Sequence, residues 1–278
     1  KHGLTVILSG RSPAKQELKQ RLAQWREEGL KLAYVPADVT NSNSLAGAVS
    51  VIRQEYGKIQ GVVHCAGALG EGSILTNEPA VMRDNLAPKL PGVCHVHEVL
   101  TDDSPEYFMI FSSTSSILGD FGQGTYALGN RFLDRFAQWR SVEVKESRTL
   151  CLNWPLWKAG GMHGSRDGEA LYLQATGQRY LEVSEGIRAF EDLLNSRQSR
   201  ICIFAGDRAK IDDFVQRKIK FPPLVVSAEQ AEKRVGVTGA NLEDWLVEAA
   251  SAVLQLDAAR LNMEANLTEF GFESLTIN

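Results

Sequence analysis

Short apolar runs alternate with amphipathic, helix-length segments along most of the chain, and this alternation narrows the possible folds more than any other feature. Runs without polar alternation, such as residues 107–113, predict strands buried on both faces of a sheet. Between them, helical spacing such as that of Leu18, Leu22 and Trp25 predicts helices. Strands joined by helices indicate βαβ crossovers. We therefore predict an α/β fold with a doubly wound parallel sheet.

The same patterns locate the individual elements. Strands are predicted at residues 4–9, 32–36, 59–64, 107–113, 149–154 and 200–205. Helices are predicted at residues 15–28, 45–56, 80–100 and 126–141, of which 80–100 is one long helical region.

The pattern changes near residue 215. Residues 218–239 contain Pro222-Pro223 and scattered charge without a period, which predicts a linker. Beyond it, Leu242, Trp245, Leu246 and Val253 mark one face of a helix. We therefore predict an α/β domain at residues 1–215, a linker at 216–239 and the first part of a helical domain at 240–278.

Charge and composition exclude several classes of protein. The chain has 30 Lys and Arg against 34 Asp and Glu, a balance of −4, whereas nucleic-acid binding by counterion release needs clustered cations. No apolar run approaches the ~20 residues of a membrane span. The four cysteines lack C-x-x-C spacing and the five histidines lack a metal-ligand pattern. We therefore expect reduced thiols, no metal and a cytoplasmic location.

The first predicted strand ends in Ser9-Gly10-Arg11, without a glycine-rich turn. Doubly wound sheets carry that turn after their first strand, so we expect the first βα unit of the fold to be missing from this chain. Arg11 then lies at the end of the fold's second strand, where an acidic residue suits NAD and an arginine accommodates the 2′-phosphate of NADP. Arg11 thus points to NADPH, although a solvated loop arginine fits the same sequence.

Four residues are candidates for proton chemistry. Ser113 ends a predicted strand and therefore lies at the carboxyl edge of the sheet, where α/β folds bind ligands. Tyr126 and Asn130 are four residues apart on the following helix and share a face. A tyrosine can protonate a nascent alkoxide when a nearby ammonium, here that of Lys89 on the long helical region, lowers its pKa. By itself, Tyr126 is also typical of an interfacial helix aromatic.

These residues resemble the active-site signature of ketoreductase domains of modular polyketide synthases, which belong to the short-chain dehydrogenase/reductase superfamily. The motifs that carry the resemblance are Phe111-Ser112-Ser113, Gly119, Gly122-Gln123, Tyr126-Ala127, Asn130 and Pro88-Lys89-x-x-Gly92. The resemblance implies a Rossmann-like fold, with Tyr126 as proton donor and Ser113 as a hydrogen-bond donor to the substrate oxygen. It further implies that Lys89 lowers the pKa of the tyrosine and binds the nicotinamide ribose, while Asn130 orders Lys89 and a relay water.

Other segments of the same resemblance concern the cofactor and the product. They imply NADPH contacts from Ser9, Arg11, Asp38, Val39, His64, Ala66, Gly67, Lys89 and Tyr126. Two departures affect stereochemistry. The Leu-Asp-Asp segment of one class reads Leu69-Gly70-Glu71, and the tryptophan that marks the other class is Leu118. Glu71 keeps a carboxylate and favours the first class.

The tail has a resemblance of its own. Residues 267–275 resemble the Gly-x-Asp-Ser-Leu site of acyl carrier proteins, with Glu273 in place of Asp and Ser274 as the expected phosphopantetheine attachment point. Ser274 alone would also suit a helix N-cap. Because the sequence stops at residue 278, we expect only part of a carrier domain.

The resemblances imply a function. We expect NADPH-dependent reduction of a carrier-bound β-ketoacyl thioester to a β-hydroxyacyl thioester in polyketide (antibiotic) biosynthesis, with the other domains of a megasynthase as partners. Two alternatives stay open. One is the ketoreductase of a fatty acid synthase or a free-standing reductase. The other is a catalytically silent ketoreductase fragment that serves as a scaffold.

Overall fold

The structure, a computed structural model, describes residues 3–68, 77–119, 123–160 and 166–219. Its strands are β1 (Thr5–Gly10), β2 (Lys31–Pro36), β3 (Gly61–His64), β4 (Tyr107–Ser113), β5 (Arg148–Trp154) and β6 (Arg200–Cys202). Its helices are α1 (Gln16–Glu27), α2 (Ser42–Tyr56), α3 (Pro79–Leu86), α4 (Pro91–Val99), α5 (Ser115–Leu118), α6 (Gly124–Glu143), α7 (Arg166–Thr176), α8 (Val183–Leu193) and α9 (Arg208–Ile219).

All strand pairs in the described residues are parallel, and they form two sheets. β1 pairs with β2, and a second sheet has the order β3-β4-β5-β6. The predicted α/β fold with a parallel sheet is confirmed. In the doubly wound order 3-2-1-4-5-6, a strand separates the equivalents of β1 and β3. Among the described residues, no strand occupies that position.

Strand β4 has a continuous apolar run because both of its faces are buried. Its successive side chains point to opposite faces, as in any strand. Phe108 and Ile110 join one core cluster with helices α2, α4 and α6, whereas Met109 joins a second cluster on the other face. Both clusters are closed by helices, so the central strand is buried on both sides.

The predicted long helical region at residues 80–100 consists of two helices. α3 ends at Leu86 and α4 begins at Pro91. Pro91 lacks a backbone N–H, and its ring disfavours a helical conformation in the residue before it. Lys89 consequently lies in the turn between the helices, and its predicted position on a long helix is wrong.

The chain divides into two compact units, Lys1–Phe214 and Val215–Asn278. The described residues end at Ile219. Most of the predicted linker and all of the predicted carrier segment consequently lie outside them. None of the helices in the described part of the chain combines the length and apolarity that a membrane span needs.

Candidate active site

Lys89, Asn130 and Tyr126 meet beside the first turns of α6. Lys89 is 5% exposed, and its Nζ donates a 2.8 Å hydrogen bond to Asn130 Oδ1. The same Nζ lies 5.2 Å from the centre of the Tyr126 ring. Asn130 Nδ2 in turn donates to the carbonyl of Tyr126 at 3.0 Å, one helical turn earlier. The structure thus brings three of the four predicted catalytic residues together.

Ser113 occupies the carboxyl end of β4, the edge where parallel sheets bind ligands. Its Oγ accepts a 3.2 Å hydrogen bond from the backbone N–H of Ser115. Asn130 Nδ2 lies 3.4 Å from Ser115 Oγ, so the turn that follows Ser113 is linked to the helix that carries Tyr126. Within the described parts of the chain the Ser113 hydroxyl donates to no acceptor, so its proton is available for a substrate oxygen.

Burial lowers the pKa of Lys89 to about 8, because its charged form is poorly solvated. Its hydrogen-bond acceptor, Asn130, is a neutral amide rather than a carboxylate. An ammonium beside a phenol favours the ionised phenol. The arrangement can therefore stabilise negative charge on Tyr126 after a proton has left it.

His64 contacts the residue that precedes this lysine. Its ring is buried at the end of β3, and Nε2 is 3.1 Å from the carbonyl oxygen of Pro88, the residue before Lys89. Burial, together with the charge of Lys89, lowers the pKa of His64 to about 4. A neutral His64 that donates to Pro88 holds the turn from which Lys89 projects. The residues after it, Ala66 and Gly67, are half-buried and exposed at the same sheet edge.

The ends of β1 and β2 bring charged residues together. Gly10 and Pro36 pair at the ends of β1 and β2. The exposed Arg11, just after β1, and Asp38, just after β2, therefore lie at the same carboxyl edge of this sheet. Hydrogen bonds from Thr40, with a smaller contribution from the charge of Arg11, hold the pKa of Asp38 below its ordinary value. Two other residues predicted to contact the cofactor form hydrogen bonds with other residues of the chain. Ser9 Oγ donates to the Val35 carbonyl, and the Val39 carbonyl lies 2.8 Å from His95 Nδ1.

The family model of the KR domain matches residues 1–159. The chain belongs to this family. Among curated proteins it is 32% identical to polyketide synthase PksM of Bacillus subtilis (strain 168), over 99% of this chain and 7% of that protein. It is 29% identical to PksN of the same organism, over 98% of this chain and 5% of PksN. The KR chain therefore spans only a small part of these large polyketide synthases.

Solved structures agree with this membership. A ketoreductase domain from the bacillaene assembly line has a TM-score of 0.72 and 30% identity, over 76% of this chain and 52% of that one. An N-terminal ketoreductase from the macrolactin assembly line has a TM-score of 0.68 and 31% identity, over 75% and 41%. The KR chain thus has the short-chain dehydrogenase/reductase type of Rossmann fold, and this family relationship implies NAD(P)H binding.

The residues of the KR domain fit such a cofactor. Arg11 presents an exposed guanidinium, a group suited to phosphate, next to the ordered carboxylate of Asp38, which can accept hydrogen bonds from hydroxyls. Both stand at the carboxyl ends of parallel strands, as do Ala66 and Gly67. The buried ammonium of Lys89 offers further donors for hydroxyl oxygens.

Two features of this site were not anticipated from the sequence. Gly129 lets α6 approach Lys89 so closely that an added Cβ would lie 2.9 Å from Lys89 Cδ. Asp134, fully buried, accepts hydrogen bonds from Ser112, Ser116 and Asn153. The spacing of Tyr126, Asn130 and Asp134, four residues each, was a usable signal, because it extends one polar face of α6 into the core.

Some predicted features lie outside the described residues. They are the stereochemical segment with Glu71, the Gly122 of the signature, and Ser274. Leu118, which stands where one class has tryptophan, is described and is buried in α5.

Proposed function

We propose that this KR domain reduces a β-ketoacyl thioester, carried on an acyl carrier protein, to the β-hydroxyacyl thioester during polyketide biosynthesis. The observation that carries the proposal is the buried Lys89 ammonium, which lies 2.8 Å from the Asn130 amide oxygen and 5.2 Å from the centre of the Tyr126 ring. The acceptor of this ammonium is a neutral oxygen, so its charge is not neutralised by a carboxylate. The ammonium can therefore stabilise the anion that Tyr126 becomes after it donates a proton.

The roles of the residues follow from the chemistry of each group. NADPH, when bound, supplies the hydride that reaches the β-carbon. Tyr126 donates its phenolic proton to the ketone oxygen, so that hydride and proton together give the alcohol. Ser113 donates a hydrogen bond to the same oxygen and stabilises its developing charge. Lys89 stabilises the Tyr126 anion, and Asn130 fixes the position of Lys89.

Cofactor selection is proposed to rest on the strand ends. Arg11 binds the 2′-phosphate, which favours NADPH over NADH. Asp38 and Val39 flank the adenine side, and Ser9 supports the end of β1. His64, Ala66 and Gly67 lie on the nicotinamide side, with Lys89 and Tyr126 at the nicotinamide ribose.

The wider assembly is part of the same proposal. The domain works with other domains of a cytoplasmic megasynthase, and residues 240–278 begin an acyl carrier domain that follows a linker at 216–239. Within an intact carrier domain, Ser274 would accept 4′-phosphopantetheine.

The test is reduction of a β-ketoacyl N-acetylcysteamine thioester, followed as NADPH consumption, with NADPH affinity measured separately. Tyr126→Phe should lower kcat at least a hundredfold and leave the affinity for NADPH within about twofold, because only the transferred proton is removed. Tyr56→Phe is the matched control, because Tyr56 is exposed at the end of α2, and it should behave as the wild type.

Two outcomes would contradict the proposal. Wild-type turnover in Tyr126→Phe would remove the tyrosine from the mechanism. A folded wild-type protein, in its full polypeptide, that neither binds NADPH nor reduces the thioester would favour a catalytically silent scaffold instead.

A further inference from the structure

A buried polar cluster lies below the catalytic residues and has no part in the chemistry proposed above. Its centre is the carboxylate of Asp134 on α6, whose side chain has no exposed surface. Oδ1 accepts hydrogen bonds from Ser112 Oγ at 3.0 Å and Asn153 Nδ2 at 2.8 Å, and Oδ2 accepts one from Ser116 Oγ at 2.8 Å. These donors come from β4, β5 and α5, so a single carboxylate joins three elements to α6.

The partners of Asp134 reach the catalytic residues directly. Asn153 Nδ2 also lies 3.1 Å from the backbone carbonyl of Ser113. Ser112 Oγ lies 3.2 Å from the backbone carbonyl of Asn130, the residue that binds Lys89. The cluster therefore contacts the backbone of one catalytic residue on β4 and of another on α6.

Stability alone does not require a carboxylate in this position. A buried charge loses its hydration, and well-packed apolar residues of similar volume are often as stable or more so. Among the described residues, Arg200 pairs with Asp134 at 3.6 Å from Oδ2 and is itself partly exposed, so it compensates the charge only in part. What the carboxylate adds is direction, because hydrogen bonds to a charged acceptor are short and strongly oriented.

We propose that Asp134 is a positioning residue of the ketoreductase site, which fixes Ser113 relative to Asn130 and Lys89 through its hydrogen bonds to Asn153 and Ser112. The inference rests on the proposed function for its kinetic consequence. Its geometric consequence is independent of that function: loss of the carboxylate changes how Asn130 meets the Lys89 ammonium.

The main variant is Asp134→Asn, which keeps the shape but removes the charge and turns one acceptor atom into a donor. We expect kcat for the thioester to fall at least tenfold, with KM for NADPH changed less than twofold. The variant removes a buried negative charge and weakens the hydrogen bond to the Lys89 ammonium, and both changes lower the pKa of Lys89 further. Cys65 and Cys151, which also act on Lys89, are unchanged, so the alkaline limb of the kcat profile should move to lower pH.

The matched control is Asp103→Asn. Asp103 is also a buried carboxylate, paired with Arg53 at 2.6 Å, but it precedes the amino end of β4, at the edge opposite Ser113. Its variant should lose stability without a change in kcat or in the pH profile. The exchanged double variant, Asp134→Asn with Asn153→Asp, restores one carboxylate to the cluster and should recover most of the lost kcat.

NMR titration of the Lys89 side chain provides the readout that needs no turnover. Its pKa should fall in Asp134→Asn and stay near the wild-type value in Asp103→Asn. If Asp134→Asn does not fold, Ser112→Ala removes the hydroxyl between Asp134 and Asn130 and should still lower kcat several-fold. An unchanged Lys89 titration and an unchanged kcat in the folded variants would overturn the inference, whereas an inactive wild type with a shifted titration would overturn only the proposed function.

Discussion

Lys89 illustrates how a single side chain is made reactive by its surroundings. The burial that lowers its pKa to about 8 destabilises the charged lysine relative to the unfolded chain, although the side chain is still mostly protonated at neutral pH. A carboxylate partner would remove most of that penalty, yet its hydrogen-bond acceptor is the neutral Asn130. The ammonium therefore remains able to stabilise an additional negative charge, and the centre of the Tyr126 ring lies 5.2 Å from it.

Replacing that neutral acceptor should change the titration of the lysine. Asn130→Asp puts a negative charge next to Nζ, and an opposite charge at this distance typically raises the pKa of a lysine by about 1–3 units. The measurement is an NMR titration of the Lys89 side chain. Asn41→Asp, at the N-cap of α2, introduces the same charge outside the contact with Lys89 and is the control, which should leave the titration near the wild-type value. No rise in Asn130→Asp would show that the 2.8 Å contact does not govern the lysine.

His64 should make the stability of the domain depend on acidity. Its pKa is about 4 in the folded protein and about 6.5 when unfolded, so the unfolded chain binds the proton more readily. The stabilisation is complete above pH 6.5 and is lost as the pH falls toward 4, by about 3 kcal/mol in total.

The measurement is urea unfolding across this pH range, and the quantity compared is the difference between wild type and His64→Gln. The glutamine amide can still donate to the Pro88 carbonyl but does not titrate, so the variant should lose less stability below pH 6.5. His97→Gln is a second test of the same linkage, because burial lowers the pKa of His97 as well, and this variant should also lose less stability at acid pH than the wild type. Equal slopes in wild type and His64→Gln would contradict a neutral, buried His64.

Helix α6 depends on one close approach to the α3–α4 turn. At Gly129 an added Cβ would lie 2.9 Å from Lys89 Cδ, nearer than ordinary contact, and 3.4 Å from Leu86 Cδ2, at the limit of ordinary contact. Alanine normally stabilises a helix interior by about 1 kcal/mol relative to glycine. Here the gain is offset because the added methyl group displaces Lys89, whose position relative to Asn130 and Tyr126 the proposed chemistry requires.

Gly129→Ala should therefore lower kcat at least tenfold while stability changes little. The matched control is Gly47→Ala in α2, where nothing lies within 4 Å of the added atom. That control should stabilise the protein by about 0.5–1 kcal/mol and leave kcat unchanged. Thermal melts and steady-state kinetics on both variants separate the two effects, and full activity in Gly129→Ala would contradict the tight contact.

Elements with a strong local signal could be predicted from the sequence, and those set by tertiary contacts could not. The apolar run at residues 107–113 predicted both ends of β4, which begins at Tyr107 and ends at Ser113 in the structure. The break at Pro91 was missed because the helical face continues on both sides of it. Tyr126 and Asn130 share a face in any helix, but the buried partners of Asp134 come from three other elements and leave no trace in local spacing.

Pairing in the described sheets is uneven, and this should divide the domain into regions of different stability. β4 and β5 each have a neighbour on both sides, and their side chains fill both core clusters. β1 pairs only with β2 in the described residues, and its Leu4 flank and Val6 are 64% and 43% exposed. The β1–α1–β2 segment contributes few buried side chains, Leu22 and Ala33 among them.

Native-state hydrogen exchange should reveal this division. Amides of β1 and β2 should exchange through partial opening, at a free energy clearly below that of β4 and β5, whose amides require global unfolding. Arg53→Gln removes the ion pair between α2 and Asp103, so it should speed exchange in α2 and β2. The difference between their opening free energies and that of β4 should increase. Added denaturant should leave the β1 and β2 rates nearly flat and raise those of β4 steeply, because only global unfolding exposes a large surface. If all strands instead shared one free energy and one denaturant slope, β1 and β2 would belong to the same cooperative unit as the central sheet, and the uneven pairing would have no energetic consequence.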